Sequence, residues 1–141
     1  MTVVWKVHRW IYDRLGGRIG SSTLGKRIVR LTIIGRKSGQ PRSVLLYAFP
    51  AGDSYAVVAS NLGDDAYPLW YLNIKTNPAV TVEIEGTRFE AVAREAEGEE
   101  RERLWAAVTE ADPTYTQYQK RTERVIPVMV LEVRENPAGA N

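Results

Sequence analysis

The fold is decided by residues 28–49, which read IVRLTIIGRKSGQPRSVLLYAF. Ile28–Ile34 is rich in β-branched residues and stops at Gly35, a pattern that predicts a strand. The turn Arg36–Pro41 follows, and Arg42–Phe49 has the composition of a second strand. Because so short a connection joins antiparallel neighbours, the stretch predicts a β-hairpin.

Four further strands are predicted downstream of this hairpin. Alternation between apolar and acidic residues is clearest at 80–85, and a second turn is expected at residues 50–53. Six strands joined mostly by short turns favour an antiparallel barrel of the mainly β (α+β) class, because a barrel leaves no open edge. A doubly wound parallel sheet is disfavoured, since helices do not alternate with strands and no G-x-G-x-x-G motif occurs. The four predicted strands are Ser54–Ser60, Val80–Glu85, Thr87–Ala96 and Ile126–Val133.

Helices are predicted at the N-terminus and in two connections. Residues 3–15 place Val3, Val7, Trp10 and other apolar side chains on one stripe. Trp5 and Tyr12 lie off this stripe beside basic residues, so they are either surface aromatics or a contact with a membrane or partner. The other predicted helices are Tyr67–Lys75 (with Pro68 at its first position), Gly98–Ala111 and Thr114–Thr122.

Length and composition limit the functional classes. A chain of 141 residues forms one domain, predicted over 1–141 with a helix at 1–16 and a flexible tail at 135–141. With no cysteine and a single histidine, His8, the chain excludes disulfides, thiolate zinc sites and zinc sites built from several imidazoles. No apolar run approaches the roughly 20 residues that span a bilayer, and no signal peptide is evident, so we expect a cytoplasmic protein.

Charge is distributed unevenly along the chain. Residues 1–50 contain ten Lys or Arg and one acid, which gives +9, so the remainder carries 2 − 9 = −7. This asymmetry indicates either an anionic partner for the basic half or neutralisation of the two halves in the fold. Nucleic acid is the weakest candidate, because aromatic side chains are not interleaved with the basic ones.

The basic turn is the first candidate site. Gly35 and Gly39 permit a tight backbone whose N–H groups could converge on an anion, and Arg36, Lys37, Ser38 and Arg42 add charge and a hydroxyl. Such a set suits a phosphate, although a solvated hairpin turn has the same composition.

Two further groups could face a ligand. At Ser60-Asn61 a strand ends in small polar residues, and Trp70 and Asn73 then share one face of a helix, where they could wall and hydrogen-bond a planar ring or instead be a core residue and a cap. Tyr115 and Tyr118 share another helical face, which suits a flat carbonyl substrate or simple packing over the barrel mouth. The pairs Asp64-Asp65 and Glu99-Glu100 are interpreted as solvated, and no metal site is expected.

Taken in order, these motifs resemble one known family. The order is L-T-x-x-G-R-K-S-G-x-P-R, V-x-A-S-N, P-x-W-Y-x-N, N-P-x-V-x-V and Y-x-x-Y-Q-x-R-T-x-R-x-I-P-V, spread from about residue 16 to residue 133. The chain is similar to the deazaflavin-dependent nitroreductases of actinobacteria, split β-barrel reductases that use coenzyme F420, an 8-hydroxy-5-deazaflavin. It departs from some relatives at Asn61, where they carry a basic residue, and at Leu62, where they carry glycine.

The resemblance implies a role for each motif. Arg36, Lys37, Ser38 and Arg42 would hold the phosphate and oligoglutamate tail of F420. The ring would lie along Ser43, Val44 and Leu45, with Ala59, Ser60 and Asn61 beside it and Pro68, Leu69, Trp70 and Asn73 on the opposite wall. The catalytic residues would be Tyr115, Tyr118 and Ser60, with the tyrosines orienting the acceptor or relaying a proton.

The implied function is transfer of a hydride from reduced F420 to a small-molecule acceptor such as a quinone, enone or nitro-aromatic. The alternatives are a non-catalytic protein that binds F420 or lipid, and an FMN-binding split-barrel oxidase. Peripheral contact with the inner face of the membrane through helix 3–15 is a further expectation, and the oligomeric state is left open.

Overall fold

The computed structural model of the chain describes residues 26–134, so the predicted helix at 3–15 and the tail at 135–141 lie outside the described residues. Six strands form a closed barrel in the order β1-β2-β3-β6-β5-β4, and each hydrogen-bonded neighbour is antiparallel. The strands are β1 (Arg27–Ile34), β2 (Pro41–Ala51), β3 (Ser54–Val58), β4 (Ala79–Ile84), β5 (Thr87–Glu95) and β6 (Val128–Val133). The predicted six-stranded antiparallel barrel is therefore confirmed.

Three helices lie in the connections. They are α1 (Leu69–Thr76) between β3 and β4, followed by α2 (Gly98–Ala111) and α3 (Thr114–Lys120) between β5 and β6. A single 3-10 turn at Asn61–Gly63 precedes α1. Within the described range, no helix has both the length and the apolar character that crossing a bilayer requires.

Several predicted boundaries are wrong for local reasons. Pro68 is the extended N-cap of α1 rather than its first helical residue, because its carbonyl accepts the first helical hydrogen bond. The last strand begins at Val128 rather than Ile126, because the N–H of Ile126 donates to the side chain of Gln119 and Pro127 has no N–H to donate. Strand β2 continues to Ala51, so the turn after it is shorter than predicted.

The barrel interior is filled by alternating residues of facing strands. Leu31 on β1 is opposite Val82 on β4, and both are completely buried. These side chains belong to one core cluster that also includes Trp70 and Ile74 of α1. The core thereby fixes α1 against the end of the barrel, beside the turn that joins β1 to β2.

Ion pairs connect the basic first part of the chain to its acidic remainder. Lys26 pairs with Asp112, and Arg30 pairs with Glu83 on the neighbouring strand. Arg27 pairs with Glu85 at 3.1 Å. Of the six basic residues at positions 26–50, neutralisation within the described part of the fold thus accounts for three.

Candidate active site

A cleft of about 550 Å³ lies against the outward-facing side of β2, where Leu45 and Tyr47 are exposed. Its walls are β2, the loop after β3, the start of α1, and α3. The volume lies within the range of small-molecule sites, roughly 300–1,000 Å³. The cleft brings together eight residues that the sequence nominated, namely Val44, Leu45, Ser60, Asn61, Pro68, Trp70, Tyr115 and Tyr118.

The other eight nominated residues do not line this cleft. Ala59 is fully buried in the core, Leu69 is 69% exposed, and the Ser43 hydroxyl bonds to that of Thr32 at 3.0 Å. The remaining five lie in or against the β1–β2 turn, at Arg36, Lys37, Ser38, Arg42 and Asn73.

Asn73 fastens the β1–β2 turn to α1. Its Oδ1 accepts hydrogen bonds from the backbone N–H and from Nη1 of Arg36, both at 3.0 Å. Asn73 is buried, so this oxygen holds the turn rather than facing the cleft or capping the helix. The Arg36 guanidinium is thereby partly engaged within the protein.

Four backbone N–H groups of the turn form hydrogen bonds within the protein, which reduces the set of converging donors that the sequence predicted. The N–H of Gly35 donates to the carbonyl of Gln40, that of Gly39 to the carbonyl of Gly35, and that of Gln40 to Ser38 Oγ. The N–H of Arg36 is taken by Asn73. These four donors are therefore not available to an anion, and the exposed basic side chains are the charged groups of the turn that could meet one.

Lys37 and Arg42 are those side chains. Both are exposed, and among residues 26–134 neither forms an ion pair. The positive φ of Gly39, 71°, is the feature of the turn that requires glycine. The turn is therefore a rigid hairpin end that presents two unpaired cations.

The two tyrosines of α3 meet edge to face. The rings of Tyr115 and Tyr118 are 5.5 Å apart at 88°, and Phe49 contacts Tyr115 in the same way at 5.8 Å. Burial, followed by the negative charge of Asp112, raises the pKa of Tyr115 to about 12. The phenol therefore stays protonated near neutral pH and can donate a hydrogen bond.

Among the cleft residues that the sequence predicted, hydroxyl groups supply most of the polar atoms. In the described part of the chain, the hydroxyls of Ser60, Tyr115 and Tyr118 have no hydrogen-bond partner. Trp70, Val44 and Leu45 contribute apolar surface. The combination suits a planar, largely apolar ligand that accepts a few hydrogen bonds.

Asp112 and Tyr47 also line the cleft, although the sequence reasoning missed them. Lys26 connects these two residues, since its Nζ lies 3.1 Å from Asp112 and 4.3 Å from the centre of the Tyr47 ring. Burial raises the pKa of Asp112, but hydrogen bonds from Thr114 and Lys26 lower it by more in total, so it lies below its usual value.

A sequence signal existed for some of the missed residues. Tyr47 shares the alternating face of Leu45, and Ile28 is its cross-strand partner in the predicted hairpin. Asp112 precedes Pro113 and accepts from the N–H of Thr114, a typical start of a helix. The other unpredicted lining residues are Leu46, Val58 and Leu62.

The sequence predicted that the pairs Asp64-Asp65 and Glu99-Glu100 are solvated, but one member of each pair forms a hydrogen bond with another side chain. Glu100 accepts two hydrogen bonds from Arg94, and Asp65 accepts one from Thr122 at 2.7 Å. Arg94 also lowers the pKa of Glu100 through these bonds. Within residues 26–134, no group of three His, Asp or Glu is arranged to hold a metal ion.

Comparison with known proteins identifies the family. The model of the family described as F420H(2)-dependent quinone reductase matches residues 4–133. The chain belongs to this family. An F420H(2)-dependent quinone reductase of Mycobacterium tuberculosis is 39% identical over 133 residues, covering 92% of this chain and 89% of that protein.

Solved structures agree in fold. An F420-H2-dependent reductase, FDR-A, is 45% identical, with a TM-score of 0.70 over 75% of this chain and 94% of its own. A second structure, described as a domain-swapped dimer, is 38% identical, with a TM-score of 0.67 over 94% of this chain and 100% of its own. Family membership makes the chain an F420-dependent oxidoreductase, as its motifs predicted.

Proposed function

We propose that this protein transfers a hydride from reduced F420 to a quinone in the cleft between β2 and α3. The observation that supports this most directly is the pairing of an apolar cleft with the hydroxyls of Tyr115 and Tyr118. A quinone is flat and has two carbonyl oxygens, so it needs apolar walls and a few hydrogen-bond donors.

The residues present fit the cofactor in two respects. The walls formed by Trp70, Val44 and Leu45 suit a planar ring. Lys37 and Arg42 at the hairpin end are unpaired cations for an anionic tail. F420, when bound in reduced form, supplies the hydride, while the protein positions the ring and excludes competing reactions.

Tyr115 is the proposed donor to the acceptor. Its raised pKa keeps the proton on the phenol, which can then hydrogen-bond a carbonyl oxygen that gains charge during the reaction. Reduction of a quinone to a quinol takes one hydride and one proton, and this proton comes from the phenol or from water through it. In this proposal Tyr118 orients the acceptor and the Ser60 hydroxyl contacts the cofactor ring.

Steady-state oxidation of F420H2 tests the proposal. Purified protein is mixed with F420H2 and a menaquinone analogue, an enone or a nitro-aromatic, and deazaflavin absorbance is followed. We expect saturable turnover that is fastest with the quinone. Tight binding of F420H2 without turnover of any acceptor would indicate a carrier instead, and a yellow protein that retains FMN would indicate an oxidase.

The proposed location is the cytoplasm, because a chain without cysteine gains nothing from an oxidising compartment. Contact with the inner membrane face through residues 3–15 is part of the proposal, supported by Trp5 and Tyr12 beside basic residues in the sequence. Co-sedimentation with anionic vesicles tests this contact, and removal of residues 1–16 should abolish it.

A further inference from the structure

The loop that follows β3 forms one wall of the cleft in an unfavourable backbone conformation. Asn61, Leu62 and Gly63 have φ values of 48°, 58° and 83°. For Leu62 this left-handed region costs about 1–2 kcal/mol, whereas asparagine and glycine adopt it more readily. Asn61 and Leu62 both line the cleft, so the strained Leu62 is one of the residues that shape it.

A single arginine holds both ends of this loop. Arg124 donates to the carbonyls of Ala59 at 3.3 Å and Ser60 at 2.9 Å, which lie before the strained residues. It also donates to the carbonyls of Asp64 at 2.9 Å and Ala66 at 3.2 Å, which lie after them. One guanidinium therefore bridges the two sides of the loop.

Neighbouring contacts complete the attachment. Arg121 donates to the carbonyl of Leu62 at 3.0 Å, and Thr122 donates to Asp65. The Arg124 guanidinium lies over the Tyr67 ring, 4.7 Å from its centre. Residues 121–124, which follow α3, thus bind the loop from one side, while α3 itself carries Tyr115 and Tyr118.

We propose that Arg124 is a positioning residue that holds the loop 59–66 in the shape needed for ligand binding. Its effect depends on the planar guanidinium, which reaches four carbonyls, rather than on positive charge. A lysine at this position keeps the charge but cannot bridge both sides of the loop. The contact of Arg124 with the loop does not depend on the proposed function. The proposed function supplies only the identity of the ligand that binds beside the loop.

Hydrogen exchange of the full-length protein is the direct test. The N–H of Gly63 and of Asp64 donate to the carbonyls of Ser60 and Asn61, so these amides report on the loop. We expect their exchange to be at least about tenfold faster in Arg124→Lys and in Arg124→Gln. Arg94→Gln is the matched control, because Arg94 also has several partners but does not touch the loop.

Kinetics separate positioning from general instability. When the competent loop is only partly populated, apparent affinities fall by that fraction while the bound state is unchanged. We expect Arg124→Lys to raise KM for the quinone and Kd for F420H2 by about fivefold, with kcat within about twofold of the wild type. Arg94→Gln should leave all three near their wild-type values.

Three results would overturn the proposal. One is unchanged exchange at Gly63 and Asp64, and another is full rescue by lysine, which would mean that charge alone matters. If the Arg124 variants do not fold, Arg121→Ala removes a single hydrogen bond to the loop, and no faster exchange in that variant would also count against the proposal. A wild-type protein that does not oxidise F420H2 would contradict the proposed function. The exchange experiment would still show whether Arg124 holds the loop 59–66 in place.

Discussion

Tyr115 combines burial with a nearby carboxylate, and both act in the same direction. Burial destabilises the ionised phenolate more than the neutral phenol, and the negative charge of Asp112 repels the phenolate as well. Because its pKa is raised to about 12, the folded state favours the protonated form until pH approaches that value. Its ionisation therefore does not limit activity between about pH 7 and 10.

Tyr115→Phe tests the role of the hydroxyl. The ring still packs against Phe49, but the hydrogen-bond donor is lost, so kcat/KM should fall about tenfold while Kd for F420H2 is unchanged. The wild-type rate should show no loss assignable to Tyr115 up to about pH 10. The control is Tyr55→Phe, because Tyr55 lies elsewhere in the barrel and its buried hydroxyl has no hydrogen-bond partner among residues 26–134. Equal effects of the two changes would contradict the assignment.

Gly63 is required for close packing as well as for its backbone conformation. A Cβ at this position would lie 2.7 Å from the carbonyl oxygen of Tyr118, whereas one at Gly52 would meet nothing within 4 Å. Both residues have positive φ, so Gly52→Ala reports the conformational cost alone.

We therefore expect Gly52→Ala to lower the free energy of unfolding by about 1 kcal/mol and Gly63→Ala to lower it by about 1–3 kcal/mol more. Urea denaturation of the two variants measures the difference. If the two losses are equal, the packing of the loop on α3 is not as described.

Among the elements, the β1–β2 hairpin was predictable and its connection to α1 was not. The hairpin follows from local composition, since β-branched runs flank a glycine-containing turn. The hydrogen bonds from Arg36 to Asn73 join positions 37 residues apart, and helical spacing alone places Asn73 only on a face shared with Trp70. Likewise, the loss of Ile126 from β6 depends on a side chain of α3.

Variants of the hairpin separate two contributions to F420 binding: the hydrogen bonds that attach the turn to α1, and the positive charge of its exposed side chains. Asn73→Ala removes both hydrogen bonds, whereas Arg36→Ala removes only the one from Nη1, so the double variant should weaken F420 binding no more than Asn73→Ala alone. Lys37→Ala and Arg42→Ala should each weaken binding by about two- to fivefold at low salt and reduce its salt dependence.

A fluorescence titration with F420 measures these affinities. Arg88→Ala is the control, because Arg88 is an exposed arginine on β5 that pairs with Glu83 far along the sequence from the hairpin. Fully additive losses for Arg36 and Asn73, or a loss at Arg88 equal to that at Lys37, would contradict this division of roles.

At the scale of the whole molecule, the uneven charge of the chain has two explanations, and each covers part of it. Lys26, Arg27 and Arg30 pair with acids from the later part of the sequence, as simple neutralisation predicts. Within residues 26–134, Lys37 and Arg42 have no ion-pair partner at one hairpin end. Sequence alone gives the totals, but only the barrel topology decides which cations meet a partner.

The central claim is that this cleft passes a hydride from F420H2 to a quinone. Single-turnover oxidation tests it most directly, with protein in excess over F420H2 deuterated at the hydride-donating carbon and the quinone added by rapid mixing. We expect oxidation that saturates with quinone, is slowed by deuterium and is slowed again by Tyr115→Phe. Oxidation of protein-bound F420H2 no faster than in free solution would contradict it.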